Sequence, residues 1–175
     1  MDSLTVAIED HLAPQGFRGH WRPRMADLGL VAFWRRCTWN TNRAVAVVRS
    51  PSPVVDLRGY CQRLKWTLLR QTRFVPFLYE LGLQLVVITE PEEGAIRPGE
   101  AEDLTNVVDR ISNQFVVLQS LFVVNLTDRR YSTARTSPLS VTVPVLDAIE
   151  LGIEAAGFQP RNPRAATPRG LFGRK

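Results

Sequence analysis

Apolar residues recur with a helical period in some stretches of the chain and with a strand-like period in others. Residues 3 to 13 predict a helix. Leu4, Ala7, Ile8, His11 and Leu12 share one face, Ser3 is placed to cap the start, and Pro14 and Gly16 end it. Residues 28 to 38 and 43 to 49 predict two strands, with Asn40-Thr41-Asn42 as the turn between them. After the break at Ser50-Pro51-Ser52-Pro53, residues 55 to 72 predict a long helix. Residues 83 to 89 are short, almost wholly apolar and rich in β-branched side chains, which predicts a central strand covered on both faces. Residues 100 to 112 predict a helix with Leu104, Val107, Val108 and Ile111 on one side, and 144 to 156 another with Val145, Ile149 and Ile153 inward and Pro144 in its first turn.

Two stretches are ambiguous. Residues 73 to 82 hold Pro76 within an apolar run. In residues 113 to 120, Phe115, Leu118 and Phe122 keep a helical spacing while the Val and Phe content favours strand. The preferred reading there is a strand at 120 to 126, a turn at Thr127-Asp128 and a partner strand ending at Arg135. The elements together predict one α+β domain over residues 1 to 158, in two or three layers, with a mixed sheet of four to six strands and three or four helices. Residues 159 to 175 read as a flexible Pro- and Arg-rich tail. One echo connects the two ends: residues 7 to 17 resemble 148 to 158, each an amphipathic helix followed by Gly then Phe. That is a general way to stop a helix, so it carries little weight as evidence of duplication.

Composition adds what the pattern leaves out. The 175 residues include 22 bases and 17 acids, for a formal charge of +5, with 45% hydrophobic residues, two Cys and two His. This excludes a disulfide framework, a Cys-rich zinc module and a disordered chain. The start, with Asp2, Glu9 and Asp10, does not read as a signal peptide, and no apolar run reaches the roughly 20 residues of a membrane-spanning helix, so a cytoplasmic location is the expectation. Twenty of the bases are Arg. That suits bidentate grip on phosphate or carboxylate, but their spread along most of the chain favours a coding bias toward Arg. The charge is unevenly spread: the first 157 residues hold 17 bases and 17 acids, so the whole excess sits on the tail.

Candidate chemistry gathers in three places. On the long helix, Cys61, Leu64 and Leu68 fall within about 40° of Leu57, making a core stripe, while Arg58, Gln62, Arg63, Lys65, Trp66, Arg70 and Arg73 occupy the opposite arc. The arc reads either as a face for an acidic partner, with Arg on phosphate and Trp66 available to stack, or as a second packed side with Trp66 buried and the Arg stems lying along it. The segment from Phe17 to Arg24 interleaves Arg18, His20, Trp21, Arg22 and Arg24, and the tail adds Arg161, Arg164, Arg169 and Arg174. An acidic cluster, Glu90, Glu92, Glu93, Glu100, Glu102 and Asp103, follows the central strand. With Lys65 it could serve a metal-dependent hydrolase or nuclease, or it is a solvated loop leading into a helix N-terminus.

No G-x-S-x-G, P-loop, dinucleotide or H-E-x-x-H pattern is present, and no cofactor is implied. The leading expectation is a non-catalytic binding or assembly module for an acidic partner, either nucleic acid or an acidic protein surface. The hydrolase and a homo-oligomeric subunit are the alternatives. Removing residues 158 to 175 should abolish most general polyanion affinity and leave the fold intact. Unchanged polyanion binding by the shortened chain would shift the interaction to the arc of the long helix.

Overall fold

In the computed structural model the described residues are 3–19, 29–38, 42–50, 57–71, 81–89, 104, 107–108, 116–135 and 143–161. Helix α1 spans Ser3–Leu12 and passes into a short 3-10 turn, Ala13–Gln15. The strands are β1 (Arg18–Gly19), β2 (Leu30–Cys37) and β3 (Asn42–Arg49), then β4 (Leu81–Thr89), β5 (Val116–Asn125), β6 (Arg130–Arg135) and β7 (Gln159–Pro160). Helix α2 spans Leu57–Gln71 and α3 spans Val143–Ala155. Leu104, Val107 and Val108 are also helical.

The strands form one mixed sheet in chain order. Its seven members exceed the expected four to six because two-residue strands, β1 and β7, extend its edges. β3, β4 and β5 are mutually parallel, and β2 and β6 flank them antiparallel. Every residue of β4 is buried, as its unbroken apolar run requires.

Burial on both faces needs a layer of helices on each. The crossovers β3–α2–β4 and β4–β5 step the same way across strands of the same direction, and right-handed connections then place both on one face. Tyr60, Cys61, Leu64 and Leu68 of α2, with Leu104 and Val108, pack there against Leu81, Leu83, Leu85 and Val87. The hairpin β5–β6 reverses strand direction, so the parallel step from β6 through α3 to β7 falls on the other face. There α1 and α3 enclose Val86, Ile88, Phe122 and Val124. The domain is three layers: α2 with its neighbouring helical segment, the sheet, and α1 with α3.

β5 carries the main departure from the sequence reading. It begins at Val116, earlier than expected, and a bulge at Gln119 shifts its pairing with β4. Val116 and Leu118 face α2, and after the extra residue so do Leu121 and Val123. The step of three from Leu118 to Leu121 breaks the strand period and imitates a helical one. On the opposite face, Gln84 donates from Nε2 to Gln119 Oε1 at 2.5 Å, while Gln84 Oε1 and Ser120 Oγ are buried without a protein partner.

The echoed helix ends prove to be twin Schellman stops. Gly16 and Gly157 take φ values of 80° and 88°. Each glycine N–H bonds three residues back, and the following Phe N–H bonds five back, Phe17 to Leu12 and Phe158 to Ile153. Both Phe rings join the core under α1 and α3. The chain then leaves one helix for β1 and the other for β7, at opposite sheet edges. Ordered structure therefore continues beyond 158: β7 pairs with β6, and Arg161 binds Asp128 at 2.8 Å. A tail deletion that spares the fold has to begin at residue 162.

Helices α1 and α3 are antiparallel. Gln15 Nε2 donates to the Pro144 carbonyl at one end, and at the other Gly152 lies so close to α1 that an added Cβ would be 2.7 Å from Ile8 Cα. Because the obstruction is backbone, a side chain at 152 must push the helices apart. Gly152→Val should cost about 1–3 kcal/mol by overpacking, measured as a lower urea midpoint with an unchanged slope. An unaltered midpoint would mean that the helix pair is not tightly seated.

Candidate functional site

Helix α2 contains four bases and no acid. Its inward stripe is as the period predicts: Cys61, Leu64 and Leu68 are buried, with Leu57 partly so. Tyr60 extends this side and donates its hydroxyl to the Arg49 carbonyl at 3.3 Å, tying the first turn of α2 to the end of β3. The outward side carries Arg58, Gln62, Arg63 and Trp66, all exposed. Arg58, Gln62 and Trp66 recur every four residues and so form a row, with Arg63 beside it. Trp66 is 42% exposed, so it is not buried as the packed reading of the arc expected. Arg70 belongs to the same helix, but its side chain lies outside the described residues.

Lys65 departs from expectation. It was placed on the outward arc, yet it is only 3% exposed. Its position flanks the core stripe, so the four-carbon stem packs inward while the ammonium lies 5.1 Å from the Trp66 ring centroid. Burial lowers its pKa. This cation lies over one face of the indole.

The structure brings only part of the predicted set together. Arg18 is exposed on β1, opposite Arg35. Antiparallel partners share a face, and Phe33, two residues from Arg35, packs against α2, so Arg18 lies on the α2 side of the sheet. Trp21, Arg22, Arg24, His20, Arg73, Arg164, Arg169 and Arg174 lie outside the described residues, as do Glu90, Glu92, Glu93, Glu100, Glu102 and Asp103. Arg161 pairs with Asp128 at 2.8 Å. Cys61 is buried and Cys37 exposed, and the His11 ring is bonded to the Ala7 carbonyl. Among the described residues no group of three or more His, Cys, Asp or Glu could hold a metal ion, and no helix is long and apolar enough to cross a membrane.

Two features escaped the sequence reading. Arg36 and Arg43 stand directly opposite each other across β2 and β3, and burial together with Arg36 lowers the pKa of Arg43. Only the hairpin register could have revealed that pair. The second is the surface of the other helical layer. α1 and α3 contain five acids and neither Lys nor Arg. Their outward stripes are Val6 and Asp10 on one helix and Val143, Asp147, Leu151 and Glu154 on the other. Glu150 pairs with Arg135, and Glu154 accepts the Tyr131 hydroxyl. No family profile, curated protein or solved structure matches the chain.

The buried phenols give the fold an alkaline limit. Burial pushes Tyr60 up to about 12, with Cys61 adding and Arg63 opposing. Burial also raises Tyr131, and Glu150 and Glu154 raise it further. Below pH ~10 both rings are neutral in folded and unfolded chains, and this stabilisation is complete. Above that the unfolded chain loses the proton first, so stability falls as pH rises, for Tyr60 until about 12. Tyr60→Phe should flatten this decline and cost about 1 kcal/mol at neutral pH through the lost hydrogen bond, both read from urea melts between pH 7 and 12.

Proposed function

We propose that this protein is a non-catalytic binding or assembly module that takes an acidic partner, nucleic acid or an acidic protein surface, on the outer face of α2. The observation that carries the reading is the exposed row Arg58–Gln62–Trp66 with Arg63 beside it, on a helix without a single acid. A solvated helix face has no need of an indole. Exposed Trp flanked by Arg is the combination enriched where binding energy concentrates. The arginines supply bidentate contacts to phosphate or carboxylate. The indole supplies a flat surface that stacks on a base or packs on an aliphatic patch. Lys65 lies over one face of that indole, which limits the conformational freedom lost on binding. Arg18 extends the same side of the molecule.

The test is titration of the protein with single-stranded DNA and with polyglutamate at several salt concentrations. Trp66→Ala and the pair Arg58→Ala/Arg63→Ala should each weaken binding of the preferred polymer by at least about tenfold, since a hot-spot side chain contributes ~2 kcal/mol. If that polymer is DNA, the double Arg variant should also reduce the salt slope by about 1.4, at ~0.7 per single-strand phosphate contact. A chain ending at Arg161 should retain this α2-dependent component. Equal affinity in wild type and in both variants would remove α2 from the interaction.

A further inference from the structure

The α2 face has a counterpart on the same molecule. α1 and α3 lie across the sheet from α2, and these helices carry acids where α2 carries bases. Its layout follows from the antiparallel helix pair. Gln15 meets Pro144 and Ile8 meets Gly152, so Asp10 and Asp147 fall toward the same end. Val6 and Leu151 lie one or two residues from the Ile8–Gly152 approach and are 41% and 48% exposed. The surface therefore exposes an aliphatic side chain on each helix together with carboxylates. The α2 face is its complement: an exposed indole in a row with the Arg58 guanidinium, and the Arg63 guanidinium beside that row.

We propose that the acidic partner of α2 is a second copy of this chain, docking its α1/α3 face so that Trp66 meets Val6 and Leu151 while Arg58 and Arg63 meet Asp10 and Asp147. The inference rests on α2 being the partner face and goes beyond it by naming the partner. Charge complementarity fixes the pairing: α2 against α2 opposes bases, and α1/α3 against itself opposes acids, so both two-fold arrangements are disfavoured. Only the heterologous contact joins unlike faces. The two faces lie on opposite sides of the sheet, so each copy that accepts a neighbour still presents the other face. The contact does not close on itself, and the product is an open stack that grows with concentration. Its charged contacts make assembly salt-sensitive.

The experiment is sedimentation velocity of the full chain across protein concentration, at low and high salt, with three samples. Wild type should form species larger than dimer at low salt and return to monomer at high salt. Arg58→Ala/Arg63→Ala weakens one face without reversing its charge, and Asp10→Arg/Asp147→Arg reverses the other, so the two altered faces do not attract each other. Each alone should associate at least about tenfold more weakly. Circular dichroism should show both folded, since these four side chains point to solvent.

Mixing the two variants is the decisive sample. The first keeps an intact acidic face and the second an intact basic face, so the mixture should give a capped one-to-one dimer and nothing larger. Wild type that stays monomeric at every concentration, or that forms a discrete closed dimer, overturns the proposal. So does a mixture with no heterodimer. Polyglutamate binding lost in Arg58→Ala/Arg63→Ala, alongside a monomeric wild type, would leave α2 as the partner face and sink only the self-association. Loss of both would sink the two readings together.

Discussion

The burial of β4 on both faces is the constraint from which the rest follows. Its nine residues are all buried, and its backbone is paired to parallel strands on either side. A strand of this kind has no solvated face, so apolar layers must cover it above and below. The parallel pairing in turn demands crossovers, and these deliver α2 and the segment around Leu104 to one face. Reversal of direction at the β5–β6 hairpin sends α3 to the other, where α1 joins it. The two outward surfaces of the protein are therefore the backs of helices, and their chemistry is set by residues the core does not need.

Those residues are not a random mixture. The α2 segment has bases without acids, and α1 and α3 have acids without Lys or Arg. Within one molecule the opposed layers keep these charges apart, so their attraction is unused in the fold. Among the described residues, ion pairs at the β6 side of the sheet join Arg135 to Glu150 and Arg161 to Asp128. Arg58 and Arg63 on one layer and Asp10 and Asp147 on the other are exposed, where a partner can reach them. Exposed Trp66 on one side and exposed Leu151 on the other give such a contact an apolar element as well.

Packing detail explains which sequence signals were trustworthy. The helix stops were legible because a glycine with positive φ and a following Phe act within one turn, and both copies formed as their sequences imply. The core stripe of α2 was legible because its period is local. β5 was not, because the bulge at Gln119 answers to its pairing with β4 and erases the alternation that would identify a strand. Lys65 was misplaced for a related reason. Helical angle puts it at the border of two faces, and the depth of the packing around that border decides whether an ammonium stem lies in or out.

By itself, the sequence determined the types of most elements, their stops, the inward side of each described helix and the segregation of charge along the chain. These depend on interactions within a few residues or on composition alone. Only the tertiary structure decided the strand order, the seventh strand, the exposure of Trp66, the cross-strand pair Arg36–Arg43 and the setting of basic and acidic helices on opposite layers. The physical reason is that periodicity states which side of an element faces inward, but not what lies across from it. That is settled by pairing between segments far apart in sequence, where strand direction and the handedness of connections assign each helix to its face.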